Sequence, residues 1–468
     1  DMYFRKYYCI MAVCMIRFSI CSACFAQTSK KIGLKQAIDS SLKNHPALKA
    51  KQFEVESANA AVRDAKHQVL PALKIHDQVD VGTANSLAGS SFPMGIIPSI
   101  SGGISTENNS NLFSGNIGVA YLEHELYNFG LNSARIASAR SLANSSKADY
   151  DATSYSLQFH IGQLYFDLLR YRLLNNIQQK NIERYRVLYN YIKAYTGSGI
   201  KAGVDSSVAN AEVSKAKIQY IQTLEVYNKL KSEFTYYAGL KNRDFEIDTG
   251  LYHLSDAIIN QLQAKVSVDS VSSSNPVLAY YNSRWEYAMA QEKLIKKSYL
   301  PKIYLVGGGW MRGSSISPTD AYGDLSSGLN YSRYNYMAGL AFTYNIVDIV
   351  HQKDKAAIQY FHAEAEHEEM NEQKLLLENQ LQRADIAIQA ALAREKEIPI
   401  QLRAAQNAFS QKSAQYNAGL ANITELTDAS YLLYRAETDA VEAQTDLLNT
   451  LLQKAVTNNT LNTFLSNF

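Results

Sequence analysis

The sequence predicts a mostly α-helical chain with a small β part, built from one unit used twice. Three observations carry this: a self-match at an offset of 230 residues, period-two alternation in short segments, and proline-free stretches with heptad spacing. In the self-match, Pro46, Leu48, Glu56, Ala58, Ala60, Lys66, Leu70 and Pro71 recur as Pro276, Leu278, Glu286, Ala288, Ala290, Lys296, Leu300 and Pro301. Tyr127-Asn128 recurs as Tyr344-Asn345, and Gly199 and Ala209 recur as Gly419 and Ala429, with Glu425 in the place of Asp205. Matches in one order along both halves mean a duplicated unit.

Each unit reads as a short helix, a strand, a polar loop, a second strand, a very long helix, a glycine turn and a long helix. Pro46 and Pro276 suit a first helical turn, where a missing N–H costs nothing. Leu70-Pro71 and Leu300-Pro301 then turn the chain extended. In the first strand Leu73, Ile75, Val79 and Val81 share one parity, while Lys74, His76, Gln78 and Asp80 hold the other. In the fourth, Tyr334, Tyr336, Leu340, Phe342 and Tyr344 alternate with Asn335, Gly339, Ala341, Thr343 and Asn345. Such alternation over about ten residues fits a strand with one face in lipid and one in a wet lumen. A half-buried soluble hairpin has the same period. Aromatic residues gather at the strand ends (Tyr121, Tyr127, Tyr299, Tyr304, Trp310), as they do at membrane interfaces. Residues 82–111 and 313–333, rich in Ser, Gly and Asn, read as exposed loops.

The long segments carry coiled-coil seams. Leu157, Ile161, Leu164 and Leu168 are spaced as heptads, as are Leu377, Leu381, Ala384, Ile388 and Ala391. Leu426, Ala429, Leu433, Ala436, Ala440, Ala443 and Leu447 continue the pattern near the C-terminus. The proline-free stretch from Leu131 to Ala194 would make a helix about 96 Å long, too long for a compact domain. Gly199 and Gly419 stand where each long helix reverses. Pro399 is expected to kink or break the helix that precedes Gly419.

All four cysteines (Cys9, Cys14, Cys21, Cys24) lie in a segment with a basic start, an apolar stretch from Tyr7 to Phe25 interrupted by Arg17, and a small residue, Ala26. Residues 1–26 read as an export signal, after which no cysteine remains for disulfides or thiolate metal sites. The run from Ile20 to Cys24 loosely matches a lipoprotein site, which leaves lipidation at Cys24 open. The first repeat is assigned to residues 27–265, with a strand hairpin at 72–129, long helices at 131–238 and a connecting segment at 239–265. The second takes residues 266–468, with a helix at 276–299, a hairpin at 300–347, long helices at 349–458 and a tail.

Composition excludes several functions. With 46 Lys+Arg against 44 Asp+Glu, the net charge of +2 argues against nucleic-acid binding by bulk charge. Hydrophobic residues at 46% with 19% charged can bury a core. Gly102-Gly103 and Gly307-Gly308-Gly309 lack a following Lys-Ser or helix start, so no phosphate loop is expected. His362, Glu366, His367, Glu368 and Glu369 form a charged run, but histidines five apart do not share one helical face, so the run reads as a solvated surface. No nucleophile–base arrangement is visible; neither catalysis nor a cofactor is expected.

If the strands span a membrane, four cannot close a barrel, because single-chain barrels need about eight. Unpaired edges in lipid cost several kcal/mol per group, so copies of the chain must complete the sheet, most simply with cyclic symmetry. Here the sequence resembles the TolC-like outer membrane efflux proteins. Leu34, Ala37, Ile38, Leu42, Asn44 and Pro46 are similar to that family's opening pattern, and Leu126-Tyr127-Asn128-Phe129-Gly130, the Leu-Pro strand starts and the two turns also match, covering the chain from about Ile32 to Leu452. The resemblance implies a homotrimer with a 12-stranded barrel in outer membrane lipid, a periplasmic α-barrel of coiled helices, and an equatorial band at 239–274. It implies a passive exit duct for efflux or type I secretion, working with a periplasmic adaptor (membrane fusion) protein and an inner-membrane pump.

By the same resemblance, Glu425, Asp428 and Asp205 would form acidic rings at a periplasmic aperture. Simple first-turn acids favoured by the helix dipole have the same positions. Ala421 departs from the basic residue that some family members carry there. Gly199, Ile200, Gly203, Gly419 and Leu420 would form tips that meet the adaptor, and Tyr334, Tyr336, Leu340, Phe342 and Tyr344 would face lipid. A periplasmic or cell-surface coiled-coil structural protein shares these periodicities and remains the alternative at this point.

Overall fold

The computed structural model describes residues 30–86, 106–198, 203–240, 245–250, 272 and 274–465. The expected signal segment with Cys24, and most of 239–265, lie outside the described residues. A short strand β1 (Lys30–Ile32) precedes helices α1 (Leu34–Asn44) and α2 (Pro46–His67). Strands β2 (Ala72–Gly82) and β3 (Phe113–Tyr127) follow, then α3 (Leu131–Gly197), α4 (Gly203–Tyr237) and β4 (Phe245–Ile247). The order then returns: α5 (Pro276–Ser298), β5 (Lys302–Ser314), β6 (Arg333–Thr343), α6 (Asp348–Asn417) and α7 (Ile423–Thr457), closed by α8 (Leu461–Leu465). The duplicated order of elements expected from the repeat is therefore present. Tyr344, expected in the fourth strand, falls one residue beyond β6.

Among the described residues, those up to Ala50, Asp151–Leu278 and from Gln373 form one compact unit, and Lys51–Tyr150 with Ala279–Glu372 form another. The first is helical. Its core joins Ile161, Leu164, Phe166 and Leu168 of α3 to Phe234 of α4, Ile388 and Ala391 of α6, Leu447 and Leu451 of α7, and Phe464 of α8. Every seam residue named above is buried except Ala440, which is half-buried, as the heptad spacing requires. Beside this core β1 and β4 make a parallel pair, Lys30 opposite Phe245 and Ile32 opposite Ile247. The Tyr165 hydroxyl donates to the carbonyls of Ile32 at 3.3 Å and Asp248 at 3.1 Å. Polar ties also cross between helices: Arg184 forks onto Glu437 at 2.7 and 3.3 Å, and Gln178 donates to the Tyr434 hydroxyl at 2.6 Å.

Of the kink or break expected at Pro399, the break does not occur, for α6 is helical from Asp348 to Asn417 with Pro399 inside it. Proline in a helix interior costs about 3 kcal/mol. Ile388 and Ala391 before it and Ala405 and Tyr416 after it are all buried, and this packing on both sides outweighs the lost backbone bond.

The second unit holds a four-stranded antiparallel sheet in the order β2-β3-β5-β6. Ala72 stands opposite Glu123 and Gly82 opposite Phe113; Gly115 faces Ser314; Lys302 faces Thr343 and Arg312 faces Arg333. Around it, Lys51 pairs with Asp149 at 2.8 Å, and Arg284 forks between Glu366 at 2.8 Å and Glu369 at 3.0 Å. The charged run of α6 is thus spent on packing. His367 lies against the Trp285 ring, His362 stands 3.9 Å from Glu366, and no group able to hold a metal occurs among the described residues.

Candidate functional site

The register sorts the sheet into two unlike faces, because directly opposed residues point the same way. One face carries Leu73, Ile75, Val79 and Val81 of β2, Ala120 and Leu122 of β3, Ile303, Leu305 and Met311 of β5, and Tyr334, Tyr336, Leu340 and Phe342 of β6. The other carries Lys74, His76, Gln78, Asp80, Glu123, Trp310, Arg312, Arg333 and Asn335. The apolar face is bare over β6: Tyr334 is 84% exposed, Tyr336 89% and Leu340 72%. So large an exposed apolar surface marks contact with lipid or protein.

Several polar groups on that face are answered locally, though His124 Nδ1 and Asn116 Oδ1 are buried without a hydrogen-bond partner among the described residues. Asp77, Ser114 and Asn116 share it with the leucines and valines. The segment between β5 and β6, including a 3-10 turn at Leu325–Leu329, folds back across it as a strap. Ser114 Oγ donates to the Leu325 carbonyl, Asn116 Nδ2 donates to the Leu329 carbonyl at 3.0 Å, and the Tyr331 hydroxyl donates to Asp77 at 2.7 Å. Gly118 makes room for the strap: a Cβ there would stand 2.7 Å from the Tyr331 hydroxyl oxygen. Neither the strap nor the carboxylate it bonds was visible in the alternation, which marks parity but not what crosses a face.

At the other candidate site, the turn between α6 and α7 closes on itself. The amide of Gly419 donates to the Tyr416 carbonyl at 3.1 Å and that of Leu420 to the Gln415 carbonyl at 2.8 Å. This left-handed helix stop needs a positive φ, which Gly419 supplies at 76°. Asn422 then caps α7, its side chain accepting from the Glu425 amide at 2.9 Å. The two hairpins meet here in one cluster: Ile192 of α3, Ala209 of α4, Tyr416 of α6, and Ile423 and Leu426 of α7. Leu420 is 80% exposed at the turn, and Gly203 is the exposed first residue of α4. Gly199 and Ile200 lie outside the described residues.

Of the three candidate acids, Asp428 is exposed and Asp205 half-buried in the first turn of α4. Glu425 is not a lone carboxylate. Lys412 of α6 bonds it at 2.5 Å, and this bond, with the lysine charge, holds the Glu425 carboxyl below the usual range. Residues 412 and 425 stand at nearly equal distances from the turn, so the pair was within reach of the sequence once the hairpin was recognised.

An antiparallel sheet with one apolar face, long paired helices, and one order of elements given twice along the chain define the class. Residues 37–228 and 268–453, most of the chain, match the family described as outer membrane efflux protein, and the chain belongs to that family. Its family and fold are those of outer-membrane channels rather than of enzymes. In fold it is similar to the Campylobacter jejuni outer membrane channel CmeC, with a TM-score of 0.73 at 13% identity, over 92% of this chain and 86% of that one. VceC of Vibrio cholerae gives a TM-score of 0.71 at 15% identity over 91% and 95% of the two chains. The open state of the Neisseria gonorrhoeae channel MtrE gives 0.67 at 17% over 91% and 89%. No curated protein matches the chain in sequence.

Proposed function

We propose that the chain is a passive exit duct in the outer membrane, closed as a homotrimer and fed by an inner-membrane pump through a periplasmic adaptor. The observation that carries this is the sheet order β2-β3-β5-β6, which leaves the outer margins of β2 and β6 unpaired among the described residues. Lipid charges several kcal/mol for each unpaired N–H or C=O, so β6 of one copy must meet β2 of the next. Three copies of four strands make twelve, a barrel wide enough for a wet lumen. The apolar face then meets lipid through Tyr334, Tyr336, Leu340 and Phe342, with Tyr344 at the interface. The charged face lines the lumen. The repeats at 27–265 and 266–468 each supply one strand hairpin and one helical hairpin.

Glu425, Asp428 and Asp205 stand near the hairpin turns, where threefold symmetry would set carboxylates around a constriction. Because Lys412 partly neutralises Glu425, Asp428 is the stronger contributor. Leu420 and the turn glycines Gly199, Gly203 and Gly419, with Ile200, are the contact points for the adaptor. Nothing in this scheme needs a cofactor, since the pump supplies the energy.

Purified from outer membranes, the protein is expected to run as a trimer that dissociates on heating and to conduct ions across planar bilayers. A water-soluble monomer that makes no pores would overturn the reading in favour of a structural coiled-coil protein. Changing Glu425 and Asp428 together to alanine is expected to alter cation preference and block by multivalent cations. Unchanged currents would remove these residues from the constriction.

A further inference from the structure

Two arginines stand directly opposite one another on the charged face of the sheet. Arg312 of β5 is the register partner of Arg333 of β6, and both are exposed. Among the described residues neither guanidinium has a carboxylate partner, and Arg333 donates only to the Ser332 carbonyl at 3.4 Å. Their row across the sheet is completed by Ile117 and Gln78, neither of them acidic. The nearest acid of that face, Asp80, accepts the Gln78 amide at 2.8 Å, and Glu125 lies 3.7 Å from Lys302. Glu123 faces Val306, six residues along β5 from Arg312, a distance of about 20 Å.

Guanidinium stays protonated at every physiological pH, and like charges directly opposed on a sheet repel. The arrangement is relieved when an anion lies between the two forks, since each presents paired donors suited to carboxylate or phosphate oxygens. The row lies toward the loop end of the strands, ten residues along β5 from Lys302. With this face as the lumen of a trimer, the reading on which the inference rests, three such pairs stand at one level.

We infer that Arg312 and Arg333 form an anion-binding collar at the loop end of the duct, which favours passage of solutes bearing several carboxylate or phosphate groups. Arginine rings serve as anion filters in other pores by the same physics. The collar is charged at any working pH, so its action falls with salt and not with acidity.

The test compares the full trimer with its Arg312→Gln/Arg333→Gln double variant in planar bilayers, using potassium chloride gradients and inositol hexakisphosphate as a blocking probe. The unaltered channel is expected to be blocked from one side only. The double variant is expected to lose chloride over potassium permeability by about threefold and probe sensitivity by about tenfold, while Arg312→Lys/Arg333→Lys keeps most of both. Currents of unaltered selectivity and block in the glutamine variant overturn the collar while leaving the duct intact. A lower trimer dissociation temperature with unchanged selectivity also overturns it, because the arginines would then be seam contacts between copies. If the unaltered chain gives no current at all, the duct reading fails and the collar fails with it.

Discussion

Removing one hydroxyl tests which face of the sheet meets lipid. In Tyr331→Phe the ring that covers Gly118 stays, while the hydroxyl loses its 2.7 Å bond to Asp77 and a weaker contact with the Asn116 side chain. A hydrogen bond to a charged group contributes about 1.5–3 kcal/mol. Asp77 is the only acid on the apolar face among the described residues of these strands, so under the proposed orientation the loss leaves a carboxylate with lipid before it. At roughly 1 °C per kcal/mol for a chain of 468 residues, the dissociation temperature of the proposed trimer is expected to fall by about 2 °C. Asp77→Val supplies the control of sign. With that face in lipid, removing the charge also removes its desolvation cost, so the variant is expected to equal or exceed the parent in stability. The double variant is expected to match Asp77→Val, because the hydroxyl has no carboxylate left to bond. The assay is electrophoretic mobility after graded heating in detergent. A loss in Asp77→Val as large as that in Tyr331→Phe would refute the assignment, since a water-facing pair loses the same bond from either side.

Three further outcomes follow from the helical unit. Arg184→Ala removes the two-pronged tie to Glu437, whose side chains are 17% and 23% exposed; about 2–3 kcal/mol of stability is expected to go, with Glu437→Gln partly restoring the double variant, read by thermal melting. Gly419→Ala forces a side chain to φ 76°, costing about 1 kcal/mol, measured the same way. His45 is buried between Tyr236 and Tyr237, and burial holds its pKa below 6.5, so the unfolded chain binds the extra proton first. The stability it favours is complete above pH 6.5 and is lost progressively as the pH falls toward the folded-state value; His45→Phe is expected to flatten a melting-temperature profile in that window.

The element order was legible because duplication, parity and heptad spacing are local or periodic signals. Leu157, Ile161 and Leu164 on α3 and Leu426, Leu433 and Leu447 on α7 are buried where their spacing placed them. Contacts at long separation left no such trace. Tyr331 and Asp77 are 254 residues apart, and nothing in either neighbourhood points to the other. The pairing of β1 with β4 uses three residues on each side, too few for a period to show. At Pro399 a local rule expects a kink or a break, and the helix continues unbroken with Ala405 and Tyr416 buried beyond it. Glu425 was found as an acid but not as half of a pair, because its partner Lys412 lies across the turn.

The bend at Gly419 asks nothing of its surroundings. The carbonyls of Ala414, Gln415 and Tyr416 are taken by amides of the bend itself, and the start of the next helix is stoppered by Asn422. A neighbour that slides away from this corner strips no backbone group of its mate, so parting there costs only side-chain contacts. Separating the two hairpins at this turn therefore breaks the packing of Ile192, Ala209, Tyr416, Ile423 and Leu426 and leaves the backbone of the bend intact.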